Sequence, residues 1–244
     1  MTETEFLGSY DPQDFARPSV TVDLVLMTVR AGKLAVLLQR RSDHPFKDQF
    51  ALPGGFVGID EGLDKAAERI LLSKVGLPAS GWLEQLYTFG APARDPRMRI
   101  ITVAYFALLP LEVLGSAQEL RHDLELVSLD VPWSGELGGS VSAQAAEGAV
   151  LPLAFDHADI LGTAVKRLRG KLDYSTIAFA LLPELFTLRD LQDVHEAILG
   201  STLNKPAFRR RMLDKNWIEG TGEREQGTSY RPAELYRLKQ DQGD

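Results

Sequence analysis

Gly55, Glu61, Arg69 and the pair Gly76-Leu77 stand at set intervals: five residues separate Gly55 from Glu61, seven separate Glu61 from Arg69, and six separate Arg69 from Gly76. Within that span, positions 70, 73 and 74 relate as i, i+3 and i+4, so on a helix they share one face. Glutamates there would converge on a hard divalent cation such as Mg²⁺, which is held by one or two carboxylates plus the phosphates of a substrate. The chain has Ile70, Ser73 and Lys74 instead. Ile70 offers no ligand, Ser73 a weak neutral one, and Lys74 puts a cation where a metal would sit. Glu61, Asp64 and Glu68 lie nearby, which leaves a rearranged metal site open. A plainer reading also fits, because Leu63, Ala66, Ala67, Ile70 and Leu71 form the apolar stripe of any amphipathic helix and Gly76 is a usual stop.

Taken with Leu52-Pro53-Gly54-Gly55-Phe56, this ordered set resembles the Nudix box of diphosphate hydrolases with its glutamates removed after Arg69. Metal-assisted hydrolysis needs cations to polarise the phosphate and generate the nucleophile. The segment therefore reads as a scaffold that binds without catalytic or metal-ligating residues and requires no cofactor. Mg²⁺ would enter only with a residual hydrolase activity through Glu61, Asp64 or Glu68.

A second chemistry sits near the other end. Lys205, Arg209, Arg210, Arg211 and Lys215 fall in one short segment against a single acid, Asp214, with Asn204 before them and Phe208 and Met212 among them. A recognition helix needs a buried apolar side and a basic outer side, since phosphate neutralisation supplies affinity and Arg reads guanine bidentately. The plain alternative is a solvated basic face. Arg224, Arg231 and Arg237 follow as possible wing contacts, diluted by Glu219, Glu223 and Glu225.

The elements that must position these groups are legible from patterning. Val20–Val29 and Leu34–Leu38 read as two strands around Arg30-Ala31-Gly32-Lys33, with further strands at 83–89, 100–109 and 124–129 and a helix at 61–75. Residues 134–148, rich in Gly, Ser and Ala, read as an exposed excursion. Asp156 looks like the cap of a helix bearing Ile160, Leu161, Ala164, Val165 and Leu168, with Gly170 near its end. His157 behind it reads as a helix-start residue with local hydrogen bonds. Tyr174–Leu182 reads as helical up to Pro183. Thr187-Leu188-Arg189-Asp190 resembles a capping box, Asn204 caps the basic helix, and strands at 217–221 and 230–238 flank a polar turn. Three helices and a hairpin make a winged helix-turn-helix. The expected fold is α+β, a mixed sheet sandwiched by helices over residues 1–172, with the winged helix over 173–244.

Composition sets the outer limits. With 244 residues, 44% hydrophobic and 25% charged, the chain is an ordinary globular protein. It has no cysteine, hence no disulfide framework or thiolate metal site. No apolar run approaches the roughly 20 residues that span a bilayer, and the acidic start lacks the features of a signal peptide, so a cytoplasmic protein is expected. The net charge is −7, which argues against general nucleic-acid coating. Residues 187–244 carry ten basic and ten acidic residues, so the preceding part, with 17 and 24, holds all of that excess.

As a whole, the sequence resembles the NrtR-type, Nudix-related regulators of NAD metabolism. The resemblance is carried by Tyr10-Asp11-Pro12, Thr21-Val22-Asp23, Gln39-Arg40-Arg41-Ser42-Asp43-His44-Pro45-Phe46, Arg94-Asp95-Pro96-Arg97, Leu153-Ala154-Phe155-Asp156-His157, Phe208-Arg209-Arg210 and Arg231-Pro232-Ala233-Glu234-Leu235-Tyr236. It departs at Tyr230, where the family wing usually has Gly. The resemblance implies a dimeric repressor that binds a double-stranded operator and senses ADP-ribose or a related nucleotide. It implies an effector pocket drawing on Arg40, Arg41, Gly54, Gly55, Phe56, Glu61, Asp95, Arg97 and Arg99, and DNA contacts from Asn204, Lys205, Arg209, Arg210, Arg211, Lys215 and Arg231. Arg suits diphosphate oxygens through bidentate, charge-assisted bonds, and Phe46, Phe56 or Phe89 offers a ring for adenine. The alternatives are a Mg²⁺-dependent Nudix hydrolase of ADP-ribose or nucleoside diphosphate derivatives, and a sugar-responsive regulator of the same build.

Overall fold

A computed structural model describes residues 1–78, 83–226 and 232–239. A short helix, α1 (Glu3–Ser9), precedes β1 (Ser19–Arg30) and β2 (Lys33–Arg40). Then come β3 (Phe50–Ala51), β4 (Gly54–Phe56), α2 (Leu63–Ile70), β5 (Glu84–Phe89), β6 (Ile100–Leu108), α3 (Leu111–Leu120) and β7 (Leu124–Asp130). β8 (Ser142–Gln144), β9 (Val150–Leu151) and α4 (His157–Lys171) complete the first unit. The second holds a 3₁₀ turn (Ile177–Leu181), α5 (Leu188–Leu199), α6 (Lys205–Asp214), β10 (Ile218–Arg224) and β11 (Glu234–Leu238).

The large sheet runs β5-β6-β1-β2-β7-β8-β9, with β3 added to β2 and β4 to β1. It is mixed: β1 lies parallel to β6 and antiparallel to β2. β1 is central, and alternation along it feeds two cores. Val25 and Met27 face α4 and α5 through Ile160, Leu161, Leu168, Val194 and Ile198. Val22, Leu24 and Leu26 face α2 and α3 through Ala66, Ala67, Ile70, Leu114 and Ala117. Burial on both faces explains why β1 reads as a continuous apolar run. Its hairpin with β2 turns on Ala31 and Gly32, both at positive φ (50° and 73°), the two-residue geometry that matches strand twist.

A third core, with Phe186, Leu191, Phe208, Met212, Ile218 and Tyr236, holds the winged helix together. The expected division after residue 172 falls just past α4. Beyond it, α5 serves both units: Leu191 enters the third core while Val194 and Ile198 enter the first.

Several local expectations change. The helix expected over 61–75 is α-helical only at Leu63–Ile70, and its last turn widens into a π turn over Leu71–Val75 before Gly76 at φ 82°. The excursion over 134–148 contributes β8, and Val141 and Ala143 are core residues. Tyr174–Leu182 forms only the 3₁₀ turn, so the first helix of the winged unit is short. The hairpin strand begins at Ile218 and continues to Arg224, past the expected end.

Candidate functional site: a polar cleft and a basic helix

At one end of the sheet, a cleft of about 370 Å³ opens between β1, the end of β2, β4, the last turn of α2, the 94–97 loop and the start of α4. Its floor is an ionic network. Asp23 is a carboxylate within the apolar β1. Arg94, buried, donates Nε to Asp156 Oδ2 (2.9 Å) and Nη2 to Asp156 Oδ1 (2.7 Å), and its Nη2 lies 3.6 Å from Asp23 Oδ2. Asp156 thus holds the N-cap position of α4 without capping it; the buried guanidinium takes both its oxygens. His157 departs from the expected local bonding as well. Its Nδ1 accepts from the Leu52 amide at 2.9 Å, across 105 residues of sequence. Burial pushes its pKa down against the pull of Asp23, so the 3.9 Å approach of Nε2 to Asp23 is that of a neutral ring.

β4 must pass close to this floor. A Cβ on Gly54 would stand 2.2 Å from Asp23 Oδ1 and 2.9 Å from the Val22 carbonyl, which excludes any side chain there. Gly55 faces Ile70, whose Cγ1 would meet a Cβ at 3.3 Å. The backbone of the glycine turn therefore forms a wall of the cleft.

The cations are arranged around it. Arg97 is closed on Asp95 through Nε (3.0 Å) and Nη2 (2.7 Å). Burial raises the Asp95 pKa, but its bonds to Arg97 outweigh that and hold it below the usual carboxylate range. Arg41 donates Nε to the Pro45 carbonyl (2.8 Å) and stacks over Phe155 with Cζ 4.9 Å from the ring centre. Arg40 reaches Asp48 at 3.6 Å. Phe155 is packed edge-on against Phe46 at 4.8 Å, and half-exposed Phe56 lies 5.8 Å from Arg97. Arginines set against aromatic faces suit a ligand with both a phosphate and a base.

Of the expected effector residues, Arg40, Arg41, Gly54, Gly55, Phe56, Asp95 and Arg97 line this cleft, while Glu61 and Arg99 do not. Arg99 donates to the Gly90 carbonyl at 2.7 Å. Glu61 is clamped by Arg69 (3.0 and 2.5 Å) and the Gly58 amide (2.6 Å). The Arg69 hydrogen bonds, then the Gly58 amide, draw its pKa down to about 2. Among the offered rings, Phe56 lines the cleft, Phe46 stands behind Phe155, and Phe89 packs on Tyr87 at 5.2 Å. Residues the sequence reading did not assign to the site are Asp23, Asp123, Phe155 and Lys74. A carboxylate inside an apolar strand was a usable signal for Asp23.

The metal expected of a Nudix hydrolase does not fit this set. Asp64 accepts from the Tyr105 hydroxyl (2.6 Å) and Glu68 pairs with Lys65 (2.6 Å), while Glu61 belongs to Arg69. Ile70 is buried in the core and Ser73 is exposed. No cluster of three acidic, His or Cys side chains suited to an ion occurs among the described residues.

A larger cavity, about 1080 Å³, lies between β6 and the winged unit. Two pairs of its charges are closed on each other, Lys171 with Glu84 and Arg237 with Glu219.

The basic helix forms as its sequence suggests. Asn204 Oδ1 accepts from the Ala207 amide at 3.0 Å and Pro206 sits in the first turn. Phe208 and Met212 are buried, which turns Lys205, Arg209 and Arg210 outward, all exposed and without ion pairs among the described residues. Arg211 lies 3.4 Å from Asp173, and Lys215 donates to the Asp173 carbonyl and covers Trp217 at 4.2 Å. Asn204 thus spends its side chain as a cap, and Arg211 and Lys215 face α4's end. Arg237 is held by Glu219 and Arg224 by the Pro232 carbonyl; Arg231 lies outside the described residues.

Comparison with known proteins agrees with this two-part build. Residues 17–134 match the NUDIX domain, and residues 178–238 match the NrtR DNA-binding winged helix domain. The chain is 39% identical over 239 residues to the ADPR responsive transcriptional repressor NtrR of Acinetobacter baylyi, covering 97% of this chain and 88% of that one. The crystal structure of Shewanella oneidensis NrtR complexed with a 27mer DNA is 36% identical, with a TM-score of 0.71 over 90% of this chain and 93% of that one. A MutT/nudix family protein from Enterococcus faecalis superposes with a TM-score of 0.76 at 26% identity, over 98% of this chain and 94% of that one. Among the described residues no helix is long and apolar enough to cross a membrane. The chain belongs to the NrtR family, in which a Nudix-type domain is joined to a DNA-binding winged helix.

Proposed function

We propose that this protein is an ADP-ribose-responsive transcriptional repressor of NAD-metabolism genes, acting in the cytoplasm as a homodimer. The observation that carries the reading is the set of exposed α6 cations Lys205, Arg209 and Arg210, which have no ion pair among the described residues, in one chain with the polar cleft. Nothing among the described residues holds Lys205, Arg209 and Arg210 back from phosphates and base edges. Two copies are needed because paired heads must match half-sites a whole number of helical turns apart.

The cleft would take ADP-ribose with its diphosphate against the cations and its base against Phe56 or Phe155. Hydrolysis is no part of the reading, and no cofactor is required, since the surviving carboxylates of the box serve internal bonds. Coupling would run through α4. Its 15 residues span about 22 Å, from Asp156 and His157 at the cleft to Arg169, which donates to the Ile198 carbonyl of α5 at 2.9 Å. Just beyond its end, Asp173 holds Arg211 and Lys215 of α6. A ligand that reseats the Arg94–Asp156 pair shifts the helix on which the reading head is hung, and affinity for DNA changes by as much as the two states differ in affinity for ligand.

The test is selection of a palindromic operator from random duplex DNA, followed by a gel shift with a nucleotide panel. Retention of that operator, its occurrence upstream of NAD-metabolism genes, and release by ADP-ribose are expected. Selective release by arabinose-type sugars would instead favour the sugar-responsive regulator, and turnover of ADP-ribose at enzyme-like rates with Mg²⁺ would favour the hydrolase.

A further inference from the structure

Three positions of α2 would carry metal-ligating glutamates in a hydrolase, and the fold treats them differently. Ile70 is 1% exposed and packs on Gly55. Ser73 is exposed, and its carbonyl accepts Arg121 Nη1 at 2.8 Å. Lys74, in the π turn that closes the helix, is half-buried and lines the cleft. One of the three side chains therefore reaches the ligand space, and it is a cation.

The other cations of the cleft are committed. Arg94 is closed on Asp156 and Asp23, Arg97 on Asp95, and Arg40 leans on Asp48. Arg41 spends Nε and Nη2 on carbonyls. Lys74 has no hydrogen bond or ion pair among the described residues, so all three of its N–H donors remain for a ligand. An anion entering the cleft would meet that ammonium with no carboxylate competing for it.

We propose that Lys74 takes the place of the divalent ion, pairing directly with the diphosphate of the bound nucleotide so that binding needs no metal. The inference rests on the effector reading above. In a hydrolase the ions do two things: they neutralise phosphate charge and they activate a water. An ammonium does the first and cannot do the second, because it coordinates no hydroxide. The same substitution that keeps affinity thus withholds cleavage.

The experiment is calorimetry on the full chain with ADP-ribose, once with EDTA and once with Mg²⁺, and with adenosine as a probe lacking the diphosphate. The wild type should bind ADP-ribose equally in both buffers. Lys74→Gln should bind it at least tenfold more weakly in EDTA, the scale of a lost charge-assisted hydrogen bond, with the melting temperature and the adenosine affinity unchanged. Lys74→Glu should be weaker still in EDTA and recover in part with Mg²⁺, a reversal that misfolding cannot produce. Wild-type binding that requires Mg²⁺, or equal affinity in wild type and Lys74→Gln, overturns the role of Lys74 and leaves the effector reading standing. No binding of ADP-ribose by the wild type in either buffer overturns the effector reading and this inference with it.

Discussion

The cleft and the reading head use the same residue types in opposite ways. In the cleft, Lys74 apart, the cations are held by partners: Arg94 by Asp156 and Asp23, Arg97 by Asp95. On α6, Lys205, Arg209 and Arg210 point to solvent with no ion pair among the described residues, above a small apolar core. A matched, buried network fixes geometry, and breaking it leaves an orphan charge. An open basic face costs the fold little and keeps its energy for phosphates. The contrast separates preorganisation for a small ligand from affinity for a polymer.

The contrast breaks most visibly on DNA. Replacing Arg209 and Arg210 together with Ala should weaken operator binding by about a hundredfold or more, given roughly 1–3 kcal/mol per contact. Such surface changes should alter stability by no more than about 0.5 kcal/mol each. Fluorescence anisotropy and a urea melt on the same preparation check both, and a salt slope that stays unchanged would show that α6 does not meet phosphates.

Arg94→Ala should do the reverse. Its guanidinium is buried between two carboxylates, and removing it strands them, at about 3–5 kcal/mol. A chemical melt reads this, and a loss comparable to that of a surface substitution would mean that the floor of the cleft is not closed.

Acid should strain both regions through one histidine each. Burial depresses the pKa of His157 at the cleft and of His195, whose Nδ1 contacts the Leu191 carbonyl at 2.8 Å in α5. With folded values below the unfolded 6.5, the unfolded chain binds protons first. Stability is therefore present above about pH 6.5 and declines below it, by about 1.4 kcal/mol per pH unit for each histidine. Denaturant midpoints that stay level from pH 7.5 to 5.5 would contradict the neutral assignment of both rings.

Glu61→Gln should have the smallest effect. With a folded pKa of about 2 against an ordinary 4.5, the carboxylate contributes stability above pH 4.5 that is lost as pH falls towards 2. The variant should flatten that acid limb and leave ADP-ribose affinity unchanged, since Glu61 turns to Arg69 and away from the cleft. A clear fall in affinity by calorimetry would return Glu61 to the effector site.

The two regions also differ in how far their sequences disclosed them. Thr187 and Asp190 exchange the two bonds of a capping box, and Asn204 caps α6; each needs residues only three apart, so spacing alone is enough. The α2 stripe and the Ala31-Gly32 hairpin are local in the same sense. The cleft is not local. Asp156 looked like a cap because its neighbours are helical, and it was Arg94, 62 residues away, that claimed its oxygens. His157 serves Leu52 across the sheet, and Phe155 enters the cleft at a positive φ of 55°. Ring-shaped sites drawn from several strand ends leave no periodic trace. Tyr174–Leu182 misled for a related reason: Phe179 and Ala178 supply two different cores from one turn, and that apolarity mimics a helix.

The central claim is that occupancy of the cleft governs the head. The direct measurement is fluorescence anisotropy of the full-length protein on its selected palindromic operator, titrated with ADP-ribose in EDTA and compared with Arg94→Ala and Arg209→Ala. The account predicts a saturable loss of wild-type DNA binding as ADP-ribose fills the cleft, and an operator complex of Arg94→Ala that responds to ADP-ribose far less. Arg209→Ala should bind DNA weakly and keep its ADP-ribose affinity. Tight ADP-ribose binding that leaves the operator affinity of the wild type unchanged would contradict the account.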